Sequence, residues 1–268
     1  MLSQTQLKHY YEHGYVLVPE LIAEPRLKAY EQRFVQLALS NQATPADLKV
    51  MQDVMVVKGA VQPATPMHAV NKVMNFEADA ELYAYTHEPR LLAAVRSIIC
   101  AETPESAQAA EDIFSISTNV FNKPPGVDGR HPLHQDLRYF RIRPADKIVA
   151  AWTALNPTTR DNGCLAVIPG SHRQSLHDHG NPEWDYVNAG FLAIEDIDVE
   201  ARVHVKMAAG DTLLFHPLLV HGSGKNRSTD FRRAISTHYA AASCTSETRD
   251  WHVGKQARRI VSTESIPH

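Results

Sequence analysis

Apolar residues recur at helical spacing in two stretches of the first hundred residues. After Glu24-Pro25, Leu27, Tyr30, Phe34 and Leu37 step by three, four and three, so one helix face is apolar and Pro stands in the first turn. Leu91, Leu92, Val95, Ile98 and Ile99 repeat the pattern after Pro89. Ser3 with Gln6 reads as a capping box and Gly14 as the stop of a further helix, with a short strand over Tyr15–Val18 behind it. Residues 41–70 hold two Thr-Pro pairs and no clean period, and read as loop. The first 110 residues are therefore expected to be mainly helical.

From about residue 112 the pattern changes to short β-rich runs: Ile113–Phe121, Ile148–Leu155, Cys164–Ile168, Arg202–Met207, Asp211–Val220 and Phe231–Tyr239. Turn residues separate them, among them Pro124-Pro125-Gly126, Asn162-Gly163, Pro169-Gly170 and Gly222-Ser223-Gly224. Helices first and many short strands after predict a mainly β fold with flanking helices, a jelly-roll core rather than βαβ units. The expected organisation is a single domain over residues 1–268, with 1–110 as helical support and 111–245 as the jelly roll.

Composition narrows the function. Of 268 residues, 44% are hydrophobic and 21% charged, which is globular and excludes fibrous and disordered classes. A net charge of −3 argues against a general nucleic-acid or anionic-membrane binder. No apolar run is long enough to span a bilayer, and no signal peptide or SKL-type ending is visible, so a cytoplasmic location is expected, with the peroxisome as the alternative. Cys100, Cys164 and Cys244 form no CxxC pair, and their apolar contexts suit small core residues in a reducing compartment. Nothing in the pattern specifies an oligomeric state. Histidine, at 15 copies, is the unusual count and directs attention to metal chemistry.

His131-Pro-Leu-His134-Gln135-Asp136 carries the local signal. On a strand, residues two apart share a face, so His134 and Asp136 can grip one ion while Gln135 turns away and His131 faces the other side. A two-His, one-carboxylate triad needs one more His. His221 closes the run Asp211-Thr-Leu-Leu-Phe-His-Pro-Leu-Leu-Val-His, and His216, of opposite strand parity, competes with it on sequence physics. Past Gly222-Ser223-Gly224 comes Phe231-Arg232-Arg233-Ala234-Ile235, a β-hairpin pattern that would lay Arg232 beside the His221 strand. Three ligands leave about three positions on an octahedral ion. A 2-oxo acid can fill two of them and reach a guanidinium with its distal carboxylate, leaving one for O2.

The blocks HPLHQD, AWTALNPTTRDNGCLAVIPGSH and GDTLLFHPLLVHGSGKNRSTDFRRAIS resemble the phytanoyl-CoA dioxygenase family. The likeness runs from about Asn71-Lys72-Val73 to Cys244 and is dense from 131 to 239, and Gly14–Val18 resembles the family's opening strand. The resemblance implies a double-stranded β-helix, a cupin-like jelly roll, that uses Fe(II), 2-oxoglutarate and O2 to hydroxylate an aliphatic C–H. It implies His134, Asp136 and His221 as iron ligands and Arg232 as partner of the 5-carboxylate of 2-oxoglutarate. Trp152 and Ser223 match cosubstrate-pocket positions. Lys72 matches a cosubstrate-contacting lysine across an apparent insertion at Glu102–Asp112, and Asn119 falls where the family has another contact but a different residue type. The substrate implied is a small molecule, and the family's name points to a long or branched acyl-CoA hydroxylated at its 2-position. A carboxylate at 136 fits hydroxylation, since related halogenases carry Gly or Ala there.

Other readings stand beside these. A hydroxylase of a non-CoA small molecule or natural-product intermediate keeps the same site, a zinc hydrolase would use the three ligands but gives Arg232 no task, and a cupin-like binding protein needs no open metal positions. Trp152 reads as core or as pocket wall. Arg233 should face away from Arg232 as a structural or solvent-facing residue. His172, His177 and His179 read as a polar surface loop or a second metal site. Arg138, Arg141, Arg143 and Lys147 read as a solvated edge or as a rim that attracts an anionic substrate.

Overall fold

The computed structural model describes residues 1–40, 47–100, 112–246 and 258–261. The first half contains α1 (Gln4–His13), β1 (Tyr15–Val18), α2 (Glu24–Ala38), β2 (Lys49–Gln52), α3 (Val54–Val57), β3 (Val70–Met74), α4 (Ala80–Tyr83) and α5 (Pro89–Ile99). Strands then follow: β4 (Ile113–Lys123), β5 (His131–His134), β6 (Ile142–Arg143), β7 (Ile148–Ala154), β8 (Leu165–Val167), β9 (His179–Gly180), β10 (Ala193–Ile194) and β11 (Val203–Val205). The chain closes with β12 (Thr212–Phe215), β13 (His221–Ser223), β14 (Arg232–Ala241), β15 (Thr245–Ser246) and β16 (Arg258–Val261).

Local chemistry explains the helices. Ser3 Oγ accepts from Gln6 N while Gln6 Oε1 accepts from Ser3 N, and Gly14 ends α1 at φ 82°, where a side chain would be strained. On α2 the four residues at helical spacing are the buried ones; fully burying a side chain such as Phe34 contributes about 2 kcal/mol. The expectation of loop over 41–70 is corrected. Lys49–Gln52 and Val70–Met74 pair antiparallel, Val54–Val57 is helical, and Pro66–Ala69 forms a 3-10 turn; residues 41–46 lie outside the described residues. With β1, these strands also make the first 110 residues less purely helical than the pattern predicts. The proposed insertion at 102–112 falls, apart from Asp112, outside the described residues.

Two sheets face each other in a jelly roll. The larger runs β1-β12-β7-β14-β4-β3-β2, with β16 added to β4, and the smaller runs β11-β8-β13-β5. Trp152, Leu213, Phe215 and Ala234 of the large sheet pack with Leu165, Val167 and Val205 of the small one. The opposite face of the large sheet meets Leu27, Tyr30, Phe34, Leu91 and Val95 from α2 and α5. Covered on both sides, β7 is buried at every position, which is why Ile148–Ala154 reads as a continuous apolar run. Among the described residues no helix is long and apolar enough to cross a membrane.

The hairpin expected between His221 and Arg232 does not form. Strand β13 pairs with β5 and β8 in the small sheet, whereas β14 pairs with β4 and β7 in the large one. The connection crosses the sandwich because Asn226 Nδ2 donates to Lys123 O and Asp230 O at 2.8 Å each and Arg227 N donates to Asp161 O at 2.7 Å. Arg232 thus faces the metal-site candidates across the interior and not from a neighbouring strand. The predicted Asp211–Val220 strand also stops at Phe215. The chain turns at His216–Val220, with Leu219 N donating to His216 O.

Candidate active site

The antiparallel register of β5 and β13 sets His221 directly opposite His134. Asp136 opens the 3-10 turn immediately after β5. One ligand atom from each of His134, Asp136 and His221 lies within 4.8 Å of the others, and all three residues are buried. His134 Nε2 is 3.3 Å from Asp136 Oδ1 and His221 Nε2 is 3.7 Å from Oδ2. His134 Nδ1 donates to Pro132 O at 2.8 Å and His221 Nδ1 to Leu219 O at 3.0 Å. A carbonyl only accepts, so the proton of each ring sits on Nδ1 and each Nε2 lone pair turns to the carboxylate. Two imidazoles and one carboxylate in this state fit a divalent metal of the non-haem iron type.

Electrostatics agree with that fit. Burial pulls the pKa of His221 from 6.5 down to about 4, with the Asp136 charge opposing it only in part. Burial and the neighbouring His134 hold His131 well below its ordinary value too. Burial alone would raise the Asp136 carboxyl, but the neighbouring His221 and His238, with the hydrogen bond from His238, hold it well below the carboxylate range. The His221 imidazole is thereby neutral and the Asp136 carboxylate ionised at neutral pH. A sign follows for stability. The unfolded chain takes up protons on these histidines near pH 6.5, whereas folded His221 resists until about 4. Metal-free protein is expected to lose stability as pH falls through that window, on the order of 3 kcal/mol for His221. Thermal melts across it are the check, and a flat melting temperature would contradict the assignment.

A cavity of about 350 Å³ joins the triad to the remaining predicted residues: Arg232, Ser223, Trp152, Lys72 and Asn119 all line it. Arg232 is 3% exposed, its guanidinium lies 5.3 Å from the centre of the Trp152 ring, and its Nε has no hydrogen-bond partner. Burial lowers its pKa to about 10. Lys72 Nζ sits over Phe191 at 5.1 Å, and burial draws it to about 8 while Asp136 pulls it back up. Asn119 Nδ2 donates to Ser117 Oγ at 3.3 Å. An orphaned buried guanidinium in a pocket with three metal-ligand candidates fits an anionic, metal-chelating cosubstrate such as 2-oxoglutarate.

Other residues fall differently from expectation. His131 does not face away: it lines the same cavity, stacked on His134 at 4.1 Å and on Phe191 at 3.9 Å. The cause is a register shift between His221 and Ser223 against β5, which breaks strict alternation. Gln135 does turn from the triad, and its side chain ties down the 175–177 backbone and Leu218 O. His216 points elsewhere, 3.0 Å from Asp146. His172, His177 and His179 join no metal-ligand cluster among the described residues. Arg233 is structural, ion-paired to Glu31 at 2.6 Å. His238 was not anticipated. Its Nε2 donates to Asp136 Oδ2 at 2.8 Å, orienting the carboxylate. Strand parity with Arg232 and Ser236, both on the cavity side of β14, was the signal that could have found it.

A model of the phytanoyl-CoA dioxygenase (PhyH) family matches residues 10–234. The chain belongs to the phytanoyl-CoA dioxygenase family. It is 41% identical over 249 residues to the peroxisomal phytanoyl-CoA dioxygenase of Bos taurus, covering 91% of this chain and 70% of that protein. The Homo sapiens protein of the same description is 40% identical over 249 residues, with the same coverage of 91% and 70%. Among solved structures, EvdO2 from Micromonospora carbonacea var. aurantiaca complexed with 2-oxoglutarate has a TM-score of 0.67 at 20% identity, covering 94% of this chain and 95% of that one. The epimerase SnoN in complex with Fe3+, alpha ketoglutarate and nogalamycin RO has a TM-score of 0.66 at 18% identity, covering 91% and 85%. These two likenesses bear on the fold. Family membership and the metal cluster together make the chain a 2-oxoglutarate-dependent non-haem iron dioxygenase acting on a small molecule.

Proposed function

We propose that the chain is one oxygenase domain that hydroxylates the carbon next to the carbonyl of a long or branched acyl-CoA thioester. The observation that carries the reading is the shared cavity: a buried two-His, one-carboxylate cluster and, across the sandwich, a buried guanidinium with no carboxylate partner among the described residues. When bound, iron with 2-oxoglutarate and O2 supplies the oxidising power for an unactivated C–H bond. His134, Asp136 and His221 hold the metal. Arg232 takes the distal carboxylate, with the Trp152 ring and Ser223 hydroxyl forming the walls around it and Lys72 and Asn119 further along the cavity. His238 keeps the Asp136 carboxylate aimed. Burial of the triad with Trp152, Arg232 and His238 excludes bulk water from the reacting centre.

Relatives named phytanoyl-CoA dioxygenase support the thioester substrate. So does the mouth of the cavity. Tyr139 lines it and clasps the opposite segment, its hydroxyl donating to Gly190 O at 3.0 Å. Arg138 and Arg141, close to Tyr139 in the chain, are exposed, a suitable pair for phosphate groups, whereas Arg143 and Lys147 donate to the backbone carbonyls of Phe140 and Ile99. Three free cysteines suit a reducing compartment, and the cytoplasm is the location we favour, with the peroxisome, in which the relatives are named, as the alternative. The test is succinate release from a panel of acyl-CoAs against the matching free acids. The thioesters are expected to be preferred, and Arg138→Glu with Arg141→Glu to raise their KM about tenfold while leaving free acids unaffected. Equal turnover of acids and thioesters would turn the reading toward a non-CoA substrate.

A further inference from the structure

A second buried cation lies beside Arg232 that the reading above does not use. Lys123 is the register partner of Arg232 across β4 and β14 and is only 4% exposed. Its slot is carved by two glycines. A Cβ at Gly129 would come within 3.2 Å of Lys123 Cγ, and one at Gly163 within 3.1 Å of Cδ. Both have positive φ, 51° and 80°, so side chains are disfavoured there twice over. The two carboxylates on hand act on the ammonium through space without a hydrogen bond to it. Asp128 is taken by Arg130 and Lys225 at 3.0 Å each, and Asp53 accepts from Asn71 and Asn188. Lys123 Nζ instead donates to Ser223 Oγ at 2.8 Å and to Gly224 O. Lys123, Arg232, Ser223 and His131 together line a small cavity adjoining the main one.

Lys123 and Arg232 are adjacent buried basic groups, burial and the Arg232 charge hold the Lys123 ammonium well below its ordinary range, and an anion lodged beside the pair offsets that cost. A serine hydroxyl has one proton and can accept through its lone pairs. With Lys123 donating into Oγ, the Ser223 proton is free to donate toward the cavity. We infer that Lys123 is a positioning residue of the cosubstrate anchor: it holds Ser223 as a hydrogen-bond donor to the distal carboxylate of 2-oxoglutarate. This rests on the reading that Arg232 and Ser223 receive that carboxylate.

The experiment is anaerobic calorimetric titration of the Fe(II)-loaded protein with 2-oxoglutarate, which needs no hydroxylation substrate. Lys123→Gln is expected to raise the Kd for 2-oxoglutarate about tenfold or more, the scale of one charge-assisted hydrogen bond. At saturating 2-oxoglutarate, kcat should stay within about twofold of wild type, a KM-against-kcat split that a loosened fold would not produce. In a Ser223→Ala background the same substitution should cost less than about threefold, because the residue it acts through is gone. Lys123→Met, which removes the hydrogen-bond donor along with the charge, carries the same criteria if the Gln variant does not fold. A Kd within twofold of wild type, or an undiminished effect in the Ser223→Ala background, overturns the inference. Arg232→Met is the control. If it too leaves the Kd unchanged, the cosubstrate assignment itself fails. If it weakens binding while Lys123→Gln does not, only the role of Lys123 falls.

Discussion

Asp136→Ala protein is expected to release succinate at about one-thousandth of the wild-type rate, the several kcal/mol that a bound metal contributes to catalysis. The residue is the single carboxylate of the cluster, and its two oxygens face three imidazoles at once, those of His134, His221 and His238. Removing it leaves two neutral nitrogen ligands, too few to hold ferrous iron against chelation, and strands the His238 donor. His134→Ala should act alike, since the ring is locked by its bond to Pro132 O and supplies one of the cluster's two imidazoles. Metal content after dialysis and succinate formation measure both effects. Wild-type turnover by the two variants would refute the metal assignment. Metal-free wild-type protein should be inactive and regain activity with Fe(II) but not Zn(II), which also separates the oxygenase from a zinc hydrolase.

Arg232→Met is expected to weaken 2-oxoglutarate binding by about 2–5 kcal/mol, roughly thirtyfold to several thousandfold, as when one partner of a buried charge pair is truncated. The same change should not destabilise the ligand-free protein. There the guanidinium is buried without a carboxylate and its Nε lacks a partner, so a Met of similar length relieves desolvation while still covering the Trp152 ring. Opposite signs for ligand affinity and apo stability distinguish a ligand-binding arginine from a structural one. Arg233, ion-paired to Glu31 and close to Phe34, provides the contrast: its truncation should lower stability and leave 2-oxoglutarate affinity intact. Thermal melts with calorimetric titration read both quantities. Arg232→Met protein that is less stable without ligand yet binds 2-oxoglutarate normally would reverse the assignment.

Much of this was legible along the chain. The capping box of Gln4–His13 and the first-turn Pro and apolar spacings of Glu24–Ala38 and Pro89–Ile99 depend only on residues a few positions apart, and the extended backbone at Gln135 that puts His134 and Asp136 together is equally local. The motif blocks carried the family and, with it, His221 and Arg232. What sequence could not supply was which strands pair. His221 and Arg232, eleven residues apart, look like two arms of a hairpin, yet they occupy opposed sheets. His131 looks as if it points outward, yet a register shift turns it into the cavity, and His238 and Lys123 join the site from distant positions on β14 and β4. Periodicity follows from backbone geometry within a few bonds. Strand partnership is decided by which faces of whole sheets can be buried together, a long-range balance that no window of sequence contains.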